Sequence, residues 1–354
     1  MTRSLLATFM VLVANLAGCS VTPQSIAVPP RITFDSSMVF PADRSLDRPE
    51  DGICLPDGRL IVSDRSHGLR LVEVDGTSAP FGDLAGAGYV VDPPRHVTLA
   101  NGVSLEPDGG HVLVADVLGG GIYRVALADG ASERVYQHSF GVNTARRDST
   151  GAIWFTQSTE CTAATGEERL FAAVDKPIAD GGLWRLDFHE GQPADEAELI
   201  AGGLHFANGL ALDERGRMIY VSECMADRIL SARLDVANGT VGPWSKFVSV
   251  QTPDNLELDT RGRLWVASPL RSEIGVIDTR SGTYHTVFNQ QTTEQIAFSA
   301  EFTERGRHSM SRLELLSPPL WDPLPGLVTG MIIGPNDELV CITGLGGAVI
   351  RPSR

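Results

Sequence analysis

Residues Arg261-Gly262-Arg263-Leu264-Trp265-Val266 form a turn followed by a short run of β-favouring side chains, and this pattern decides the fold. The pattern recurs at residues 57–62, 108–113, 150–155 and 215–220, with a degenerate sixth copy at residues 336–341. Another short apolar segment precedes each copy, so each repeat is predicted to begin with a β-hairpin. Six units of roughly 40 to 75 residues, each with about four strands, predict an all-β fold, a six-bladed β-propeller with four-stranded blades.

The last repeat lacks a fourth strand. Its hairpin is predicted over residues 328–343 and its third strand over residues 347–351, after which the chain ends. The strand-like segment 32–40 precedes the first blade. We therefore expect an N-terminal strand to complete blade six and close the ring.

Equal spacing within the repeats brings a set of polar residues into register. Eight residues before each turn glycine stand Glu50, Asn101, Asn143, Asn208 and Asp254, and the same count from Asp337 reaches Thr329. Equal offsets mean equivalent places at the start of each innermost strand. These side chains are predicted to surround one mouth of the central channel.

Two carboxylates and three amides around one axis form an oxygen-rich cage of the kind that Ca²⁺ prefers. Cys and His are absent from these positions, which disfavours Zn²⁺ and Cu²⁺. The competing interpretation is that Asn and Asp simply satisfy loop amides before strands. Five oxygen-bearing ligand types at one offset favour the metal site.

Two long loops are predicted to overhang this mouth, residues 157–181 and about 289–327. Short helices are expected within them at residues 167–175 and 294–302. Phe171, Phe298, Phe302 and Trp321 are candidates to line an apolar pocket, although they could equally anchor the loops on the propeller.

Histidines and cysteines are weaker candidates for chemistry. His67, His96, His205 and His308 are predicted in loops on the metal side, where each is more often a surface residue than a catalytic one. Cys161 and Cys224 follow the second strands of adjacent blades, so a disulfide between them is left open as a possibility.

The charge balance excludes one class of function. The chain has 44 Asp and Glu against 29 Lys and Arg, a net charge of −15, and its basic residues do not cluster. A nucleic-acid partner is therefore not expected. The acidic surface suits a protein that handles neutral small molecules or cations, and we expect a monomer.

The N-terminus resembles a bacterial lipoprotein signal, with a basic start at Arg3, an apolar stretch and then Leu16-Ala17-Gly18-Cys19. The resemblance implies removal of residues 1–18, lipidation of Cys19, a flexible tether over residues 19–30 and a propeller over residues 31–354. The implied location is the bacterial cell envelope, with the lipid as the membrane anchor. An ordinary secretory signal is the alternative.

Four segments carry a family resemblance: Arg48-Pro49-Glu50-Asp51-Gly52, Val142-Asn143, Ala207-Asn208-Gly209 and Thr252-Pro253-Asp254-Asn255. They are similar to motifs of the gluconolactonase/regucalcin family and of the related strictosidine synthase-like and paraoxonase proteins. The resemblance implies a six-bladed propeller with calcium ligands at Glu50, Asn143, Asn208 and Asp254. The Pro-Asp-Asn form implies that Asn255 also faces the ion.

The function implied is calcium-dependent hydrolysis of a lactone or related ester. We expect Asp254 to activate water or to attack the carbonyl directly, and Asn101, Asn143 and Asn255 to orient the substrate. Paraoxonases carry a histidine where this chain has Asn101, so a histidine-based mechanism does not transfer at that position. The alternative is a non-catalytic propeller in which calcium is structural and the upper face binds a partner.

Overall fold

The computed structural model describes residues 26–91 and 96–352. The predicted signal peptide, Cys19 and most of the predicted tether lie outside these residues. Residues 26–30, assigned to the tether from sequence, lie against the propeller. Ile26 is buried among residues of blades five and six, and the Ala27 carbonyl accepts a hydrogen bond from Arg263 Nη1 at 3.1 Å.

The first strand, β1 (Val39–Phe40), precedes the blades. Blade one consists of β2 (Gly52–Cys54), β3 (Leu60–Asp64), β4 (Gly68–Val72) and β5 (Ser78–Pro80). Blade two consists of β6 (Ala100–Leu105), β7 (His111–Asp116), β8 (Gly121–Ala126) and β9 (Ser132–Gln137). Both are antiparallel sheets in which consecutive strands are neighbours.

Blades three and four have additions to the same plan. Blade three is built, in chain order, from β10 (Thr144–Arg147), β11 (Ile153–Gln157), helix α1 (Gly166–Asp175), β12 (Gly181–Leu186), the small hairpin β13 (Phe188–His189) and β14 (Gln192–Pro193), and β15 (Glu198–Leu204). Blade four is built from β16 (Ala207–Asp213), β17 (Met218–Glu223), β18 (Arg228–Asp235), β19 (Thr240–Val241) and β20 (Ser245–Ser249).

The last two blades complete the ring. Blade five consists of β21 (Leu256–Leu258), β22 (Arg263–Ser268), β23 (Glu273–Asp278) and β24 (Tyr284–Asn289), and it is followed by helix α2 (Thr293–Arg307). Blade six consists of β25 (Val328–Ile333), β26 (Leu339–Gly344), β27 (Val349–Ile350) and β1. Six short 3₁₀ turns connect these elements: Ser36–Met38, Cys224–Ala226, Val236–Asn238, Pro269–Arg271, Leu313–Leu315 and Pro318–Leu320.

The first strand of each blade lies at the centre of the molecule. These strands contact one another in a closed circle in the order β2, β6, β10, β16, β21, β25 and back to β2. Apolar clusters fill each of the six interfaces between blades, with Trp154 and Trp265 among the largest buried side chains. The six-bladed propeller predicted from the repeat is confirmed.

An N-terminal strand closes the ring, as predicted, but it is shorter than the expected segment 32–40. Only Val39 and Phe40 pair with β27 of blade six. Asp35 accepts hydrogen bonds from the backbone and hydroxyl of Ser37 and caps a 3₁₀ turn, which interrupts the strand. Ile32 instead forms a parallel bridge to Phe288 of blade five.

Left-handed residues form the hairpin turns at the repeat motif. Gly58, Gly109, Gly151 and Gly262 have positive φ, and Asp337 takes this role in blade six at φ 62°. In blade four the left-handed residue is Arg217 at φ 55°, one position after the expected Gly216.

Both predicted loop helices are present, and each is longer than expected. A reciprocal pair of hydrogen bonds between Thr292 and Gln295 fixes the start of α2. No helix within residues 26–91 and 96–352 has the length and apolar character needed to cross a bilayer.

Candidate metal centre and active site

The six residues at the equal offset line one cavity at the centre of the propeller. Its walls include Glu50, Asn101, Asn143, Asn208, Asp254 and Thr329. Each stands at the start of the first strand of its blade or within two residues before it. The equal register of the repeats therefore brings distant residues together. The Thr329 hydroxyl, for example, donates to the backbone carbonyl of Glu50, 279 positions away, at 3.5 Å.

Backbone hydrogen bonds hold the two carboxylate residues in place. The Glu50 amide donates to Ser63 Oγ at 3.0 Å, and the Asp254 amide donates to the Ala267 carbonyl at 2.9 Å. Ser222 Oγ donates to the Asp254 carbonyl at 2.8 Å. Both side chains are thus positioned by second strands of their own or neighbouring blades.

Three oxygen atoms in this ring are buried without a hydrogen-bond partner. They are Glu50 Oε2, Asn208 Oδ1 and Asp254 Oδ1. Buried polar atoms are normally hydrogen-bonded, because desolvation without a partner is costly. Carboxylate and amide oxygens that converge on one cavity are the donor set of a hard cation such as Ca²⁺. The ring therefore fits the predicted ion.

The electrostatics of the ring point the same way. Burial raises the pKa of Glu50, and the nearby Asp254 carboxylate raises it further. Burial also raises the pKa of Asp254, against the lowering effects of Arg48 and of a hydrogen bond from Asn208. The ionised forms of Glu50 and Asp254 are therefore unfavourable in the metal-free ring, and a cation between them would stabilise both.

The remaining predicted amides are already engaged with protein groups. Asn143 Nδ2 donates to Ser158 Oγ at 3.0 Å, and its Oδ1 accepts from the Thr144 hydroxyl at 3.2 Å. Asn255 does not line the cavity, and its Nδ2 donates to Glu50 Oε1 at 3.2 Å. Asn255 thus contacts the ring through Glu50.

Asn101 is linked to a residue to which we gave no role from sequence. Its Oδ1 accepts a hydrogen bond from Arg48 Nη2 at 3.2 Å, and Arg48 also borders the cavity. The sequence feature that could have indicated Arg48 is its basic side chain two positions before the ring carboxylate Glu50. Sequence spacing alone did not show that its side chain turns toward the ring.

The rest of the cavity lining is mostly apolar and comes from the two overhanging loops and from shorter loops of other blades. Leu170, Phe171 and Val174 of α1 and Phe302 of α2 line this cavity, whose volume is about 110 Å³. The apolar wall also includes Val117, Phe206, Leu270, Leu316, Leu327 and Leu345.

The four aromatic candidates divide into two pairs. Phe171 and Phe302 line the cavity, as one of the two interpretations predicted. Phe298 and Trp321 pack behind it in the cluster that anchors the second loop. Phe302 also belongs to that cluster, so it both lines the cavity and anchors the loop.

Arg312 ties the two overhanging loops together. Its guanidinium stacks on Phe302 of α2 at 4.0 Å from the ring centroid, and its Nε donates to the Val174 carbonyl of α1 at 2.8 Å. The Asp175 carboxylate accepts from the Arg312 amide at 2.6 Å. These contacts fix the roof of the cavity.

No histidine among the described residues lines this cavity. His67, His205 and His308 instead form local contacts with Asp64, Glu223 and Glu304.

Cys161 and Cys224 are separate buried thiols within one apolar cluster, so the disulfide left open from sequence is not formed. Burial raises the pKa of Cys161 to about 11 and raises that of Cys224 well above the usual range. Both thiols are therefore weak nucleophiles at neutral pH.

A second acidic group lies at the opposite, turn end of blade two. Glu106, Asp108 and His111 place ligand atoms within 4.8 Å of one another. Arginines already neutralise this group: Arg124 bridges to Glu106 and Asp108, and Arg147 bridges to Glu106 at 2.6 Å. Its carboxylates are satisfied without an ion, unlike those of the ring.

Comparison with known proteins identifies the family resemblance. The sequence-family model described as SMP-30/Gluconolactonase/LRE-like region matches residues 131–300. Serum paraoxonase/arylesterase 1 of Rattus norvegicus is 32% identical over 114 residues, which cover 29% of this chain and 32% of the paraoxonase. The matched stretch thus spans about a third of that relative's length.

Two solved structures share the fold. One is XC5397 of Xanthomonas campestris, described as a gluconolactonase, with a TM-score of 0.58 and 19% identity over 93% of this chain and 97% of that one. The other is a calcium-binding regucalcin of Agrobacterium tumefaciens, with a TM-score of 0.53 and 14% identity over 74% of this chain and 80% of that one. At these identities the structural likeness concerns the fold.

Proposed function

We propose that this chain, which resembles the SMP-30/gluconolactonase-like and paraoxonase proteins, is a calcium-dependent hydrolase of lactones or related esters. The observation that carries the proposal is the set of unpartnered oxygens on Glu50, Asn208 and Asp254, which face a cavity with apolar outer walls. The paraoxonase and gluconolactonase relatives support a hydrolase of this class.

Glu50, Asn208 and Asp254 would hold the ion, with Asn143 as the fourth candidate ligand from the ring. When bound there, Ca²⁺ supplies Lewis acidity toward a carbonyl oxygen. Asn255 holds Glu50 Oε1 in place, so that Oε2 stays directed into the cavity.

Asp254 is the proposed general base. Its Oδ1 has no protein partner and would bind the ion, which leaves Oδ2 to accept a proton from the water that attacks the carbonyl carbon. The electron pair of the carbonyl moves to oxygen, the ester C–O bond then breaks, and the proton passes to the leaving alkoxide. The sum is ester plus water giving acid plus alcohol.

The cavity walls favour an apolar substrate. The ring residues, together with Arg48 and Thr252, supply the polar groups of the cavity, whereas α1, α2 and the adjoining loops contribute mainly leucine, valine and phenylalanine. A polyhydroxylated sugar lactone would leave its hydroxyl groups without partners against these side chains. We expect alkyl-substituted lactones or aryl esters to be better substrates than gluconolactone.

A hydrolysis screen tests this proposal. The full chain, stripped with chelator and then reloaded with Ca²⁺, is assayed against alkyl lactones, aryl esters, phosphotriesters and gluconolactone. We expect hydrolysis of an apolar lactone or ester that stops with chelator and returns with Ca²⁺. Calcium binding without turnover of any substrate would favour the alternative, a non-catalytic propeller with structural calcium.

Attachment to the bacterial cell envelope through lipid on Cys19 belongs to the same proposal and rests on the sequence alone. Cys19→Ala should abolish acylation and prevent lipoprotein-type cleavage while leaving the propeller folded. Membrane fractionation and mass measurement of the mature N-terminus check this. A mature N-terminus other than a modified Cys19 would contradict it.

A further inference from the structure

Arg48 adopts a backbone conformation that arginine rarely takes. Its φ is 59°, in the left-handed region where glycine is the default residue. Hydrogen bonds to blade six impose this turn, because the Arg48 amide donates to the Gly346 carbonyl at 3.0 Å and Gly344 donates to the Pro49 carbonyl at 2.9 Å. Strained non-glycine residues of this kind concentrate at functional sites.

The Arg48 side chain is held in the cavity with one nitrogen free. Nη2 donates to Asn101 Oδ1 at 3.2 Å, whereas Nη1 is buried and has no hydrogen-bond partner. Arg146 provides the contrast, because it is also buried but donates to the Leu210 carbonyl at 2.6 Å and bridges to Glu257. A buried guanidinium nitrogen without a partner is costly, so the free Nη1 points to a ligand.

A purely structural role as counter-ion to the ring does not account for this arrangement. Among the described residues, the guanidinium donates a hydrogen bond to neutral Asn101 and none to the Glu50 or Asp254 carboxylates. Its positive charge lies close enough to both carboxylates to act on them. The positive charge of Arg48 should therefore weaken cation binding at the ring, so its presence there points to another role.

We propose that Arg48 is a catalytic residue whose free Nη1–H binds the carbonyl oxygen of the substrate. This inference rests on the proposed hydrolase function. As water adds to the carbonyl carbon, the C=O electron pair moves to oxygen, and Nη1–H donates to the oxyanion that forms. When the ester C–O bond breaks, the electron pair returns, and the leaving oxygen takes the proton from the attacking water. Asn101 fixes the guanidinium through Nη2.

Arg48→Gly is the informative variant, because glycine adopts the left-handed backbone without strain and the fold should not suffer. The matched control is Arg217→Gly. Arg217 has φ 55°, lies at a hairpin turn and has a side chain that is 63% exposed. Both variants relieve similar strain, but only the first removes a group from the cavity.

Three measurements are made on the calcium-loaded full chain with the ester or lactone that the wild type hydrolyses. We expect kcat/KM of Arg48→Gly to fall about 100-fold, as for loss of one oxyanion donor. Added guanidinium, at concentrations well below denaturing ones, should restore part of kcat. Calorimetry should show tighter Ca²⁺ binding, because a nearby positive charge is gone. Arg217→Gly should match the wild type in all three.

Full activity in Arg48→Gly, with calcium affinity unchanged or weakened, would overturn the assignment while leaving the hydrolase function intact. Lost activity that guanidinium does not restore, together with weaker calcium binding, would also overturn it, since Arg48 would then support the metal ring. A wild type without activity on any ester or lactone would instead refute the proposed function, and this inference with it.

Discussion

Asp254 and Asp259 lie at opposite ends of strand β21, five positions apart, and both are buried, yet their environments differ completely. Asp259 Oδ1 accepts from the Arg261 and Arg263 amides at 3.0 Å each, and its Oδ2 accepts from Trp265 Nε1 at 2.9 Å and from Arg263 Nε. Asp254 Oδ1 has no partner. The same residue type is structural at the turn end and unsatisfied at the ring end.

Blade three has the same turn-end arrangement around strand β10, although its ring-end residue Asn143 is hydrogen-bonded. At the turn end, Asp148 accepts from the Ala152 amide at 3.1 Å and from Trp154 Nε1 at 2.8 Å. At the ring end, Asn143 borders the cavity. The comparison teaches that the turn ends of the blades hold the fold together, whereas the ring ends carry an electrostatic cost that a ligand can remove.

The largest expected effect is on function, at the ring end. Asp254→Asn removes one of the two ring carboxylates, so calcium affinity should fall by about 100-fold or more. Activity should stay low even when excess Ca²⁺ refills the site, because the base is gone, whereas Glu50→Gln should recover in part. Stability of the metal-free protein should not fall. Calorimetric calcium titration and initial rates check this, and full rescue of Asp254→Asn by calcium would remove its role as base.

At the turn end the expected effect is on stability. Asp259→Ala removes the carboxylate that pairs with the buried Arg263 charge and leaves Arg263 Nε and Trp265 Nε1 without their acceptor, so the free energy of unfolding should fall by about 3–5 kcal/mol. Calcium affinity should match that of the wild type. Denaturant unfolding and calorimetry on the same sample measure both quantities. If Asp259→Ala reduced calcium affinity as strongly as Asp254→Asn does, the turn end could not be purely structural.

Metal removal should produce a smaller, reversible change in stability. A ligand that binds only the folded state adds about 2.7 kcal/mol at 100 times its Kd. At a calcium concentration that saturates the wild type but not the weakened site, calcium should therefore raise Tm in the wild type and in Asp259→Ala, and clearly less in Asp254→Asn. Thermal unfolding with and without chelator tests this, and a Tm rise in Asp254→Asn equal to that of the wild type would place the ion elsewhere.

The smallest expected effect is in blade three. Asp148→Ala leaves Trp154 Nε1 and the Ala152 amide unpaired and should cost about 1–3 kcal/mol. The matched variant Asn143→Ala should weaken calcium binding with little change in stability. Equal losses of stability in both would show that Asn143 is a structural residue.

The ring could be predicted from sequence because propeller strands repeat at fixed register, so an equal offset from the turn means an equal position around the axis. Glu50, Asn208 and Asp254 were found in this way. The rule tolerates local variation: in blade four the left-handed turn residue is Arg217, and Asn208 still lines the cavity.

Other features depend on contacts between distant segments and could not be found by counting. The cavity position of Arg48 depends on a turn imposed by Gly344 and Gly346 of blade six. Asn255 contacts Glu50 because the first strands of blades five and one approach around the closed ring. The strand that closes blade six is shortened by the cap at Asp35, a local competition that a strand-like pattern does not reveal.

The cation is expected to bind at the ring and not at the acidic group of Glu106, Asp108 and His111. Crystals of the full chain soaked with Ca²⁺, or with Tb³⁺ as its anomalous substitute, locate the ion directly. We predict one strong anomalous peak between Glu50 Oε2, Asn208 Oδ1 and Asp254 Oδ1. A peak at Glu106, Asp108 and His111 instead, or an empty ring at saturating metal, would contradict the account.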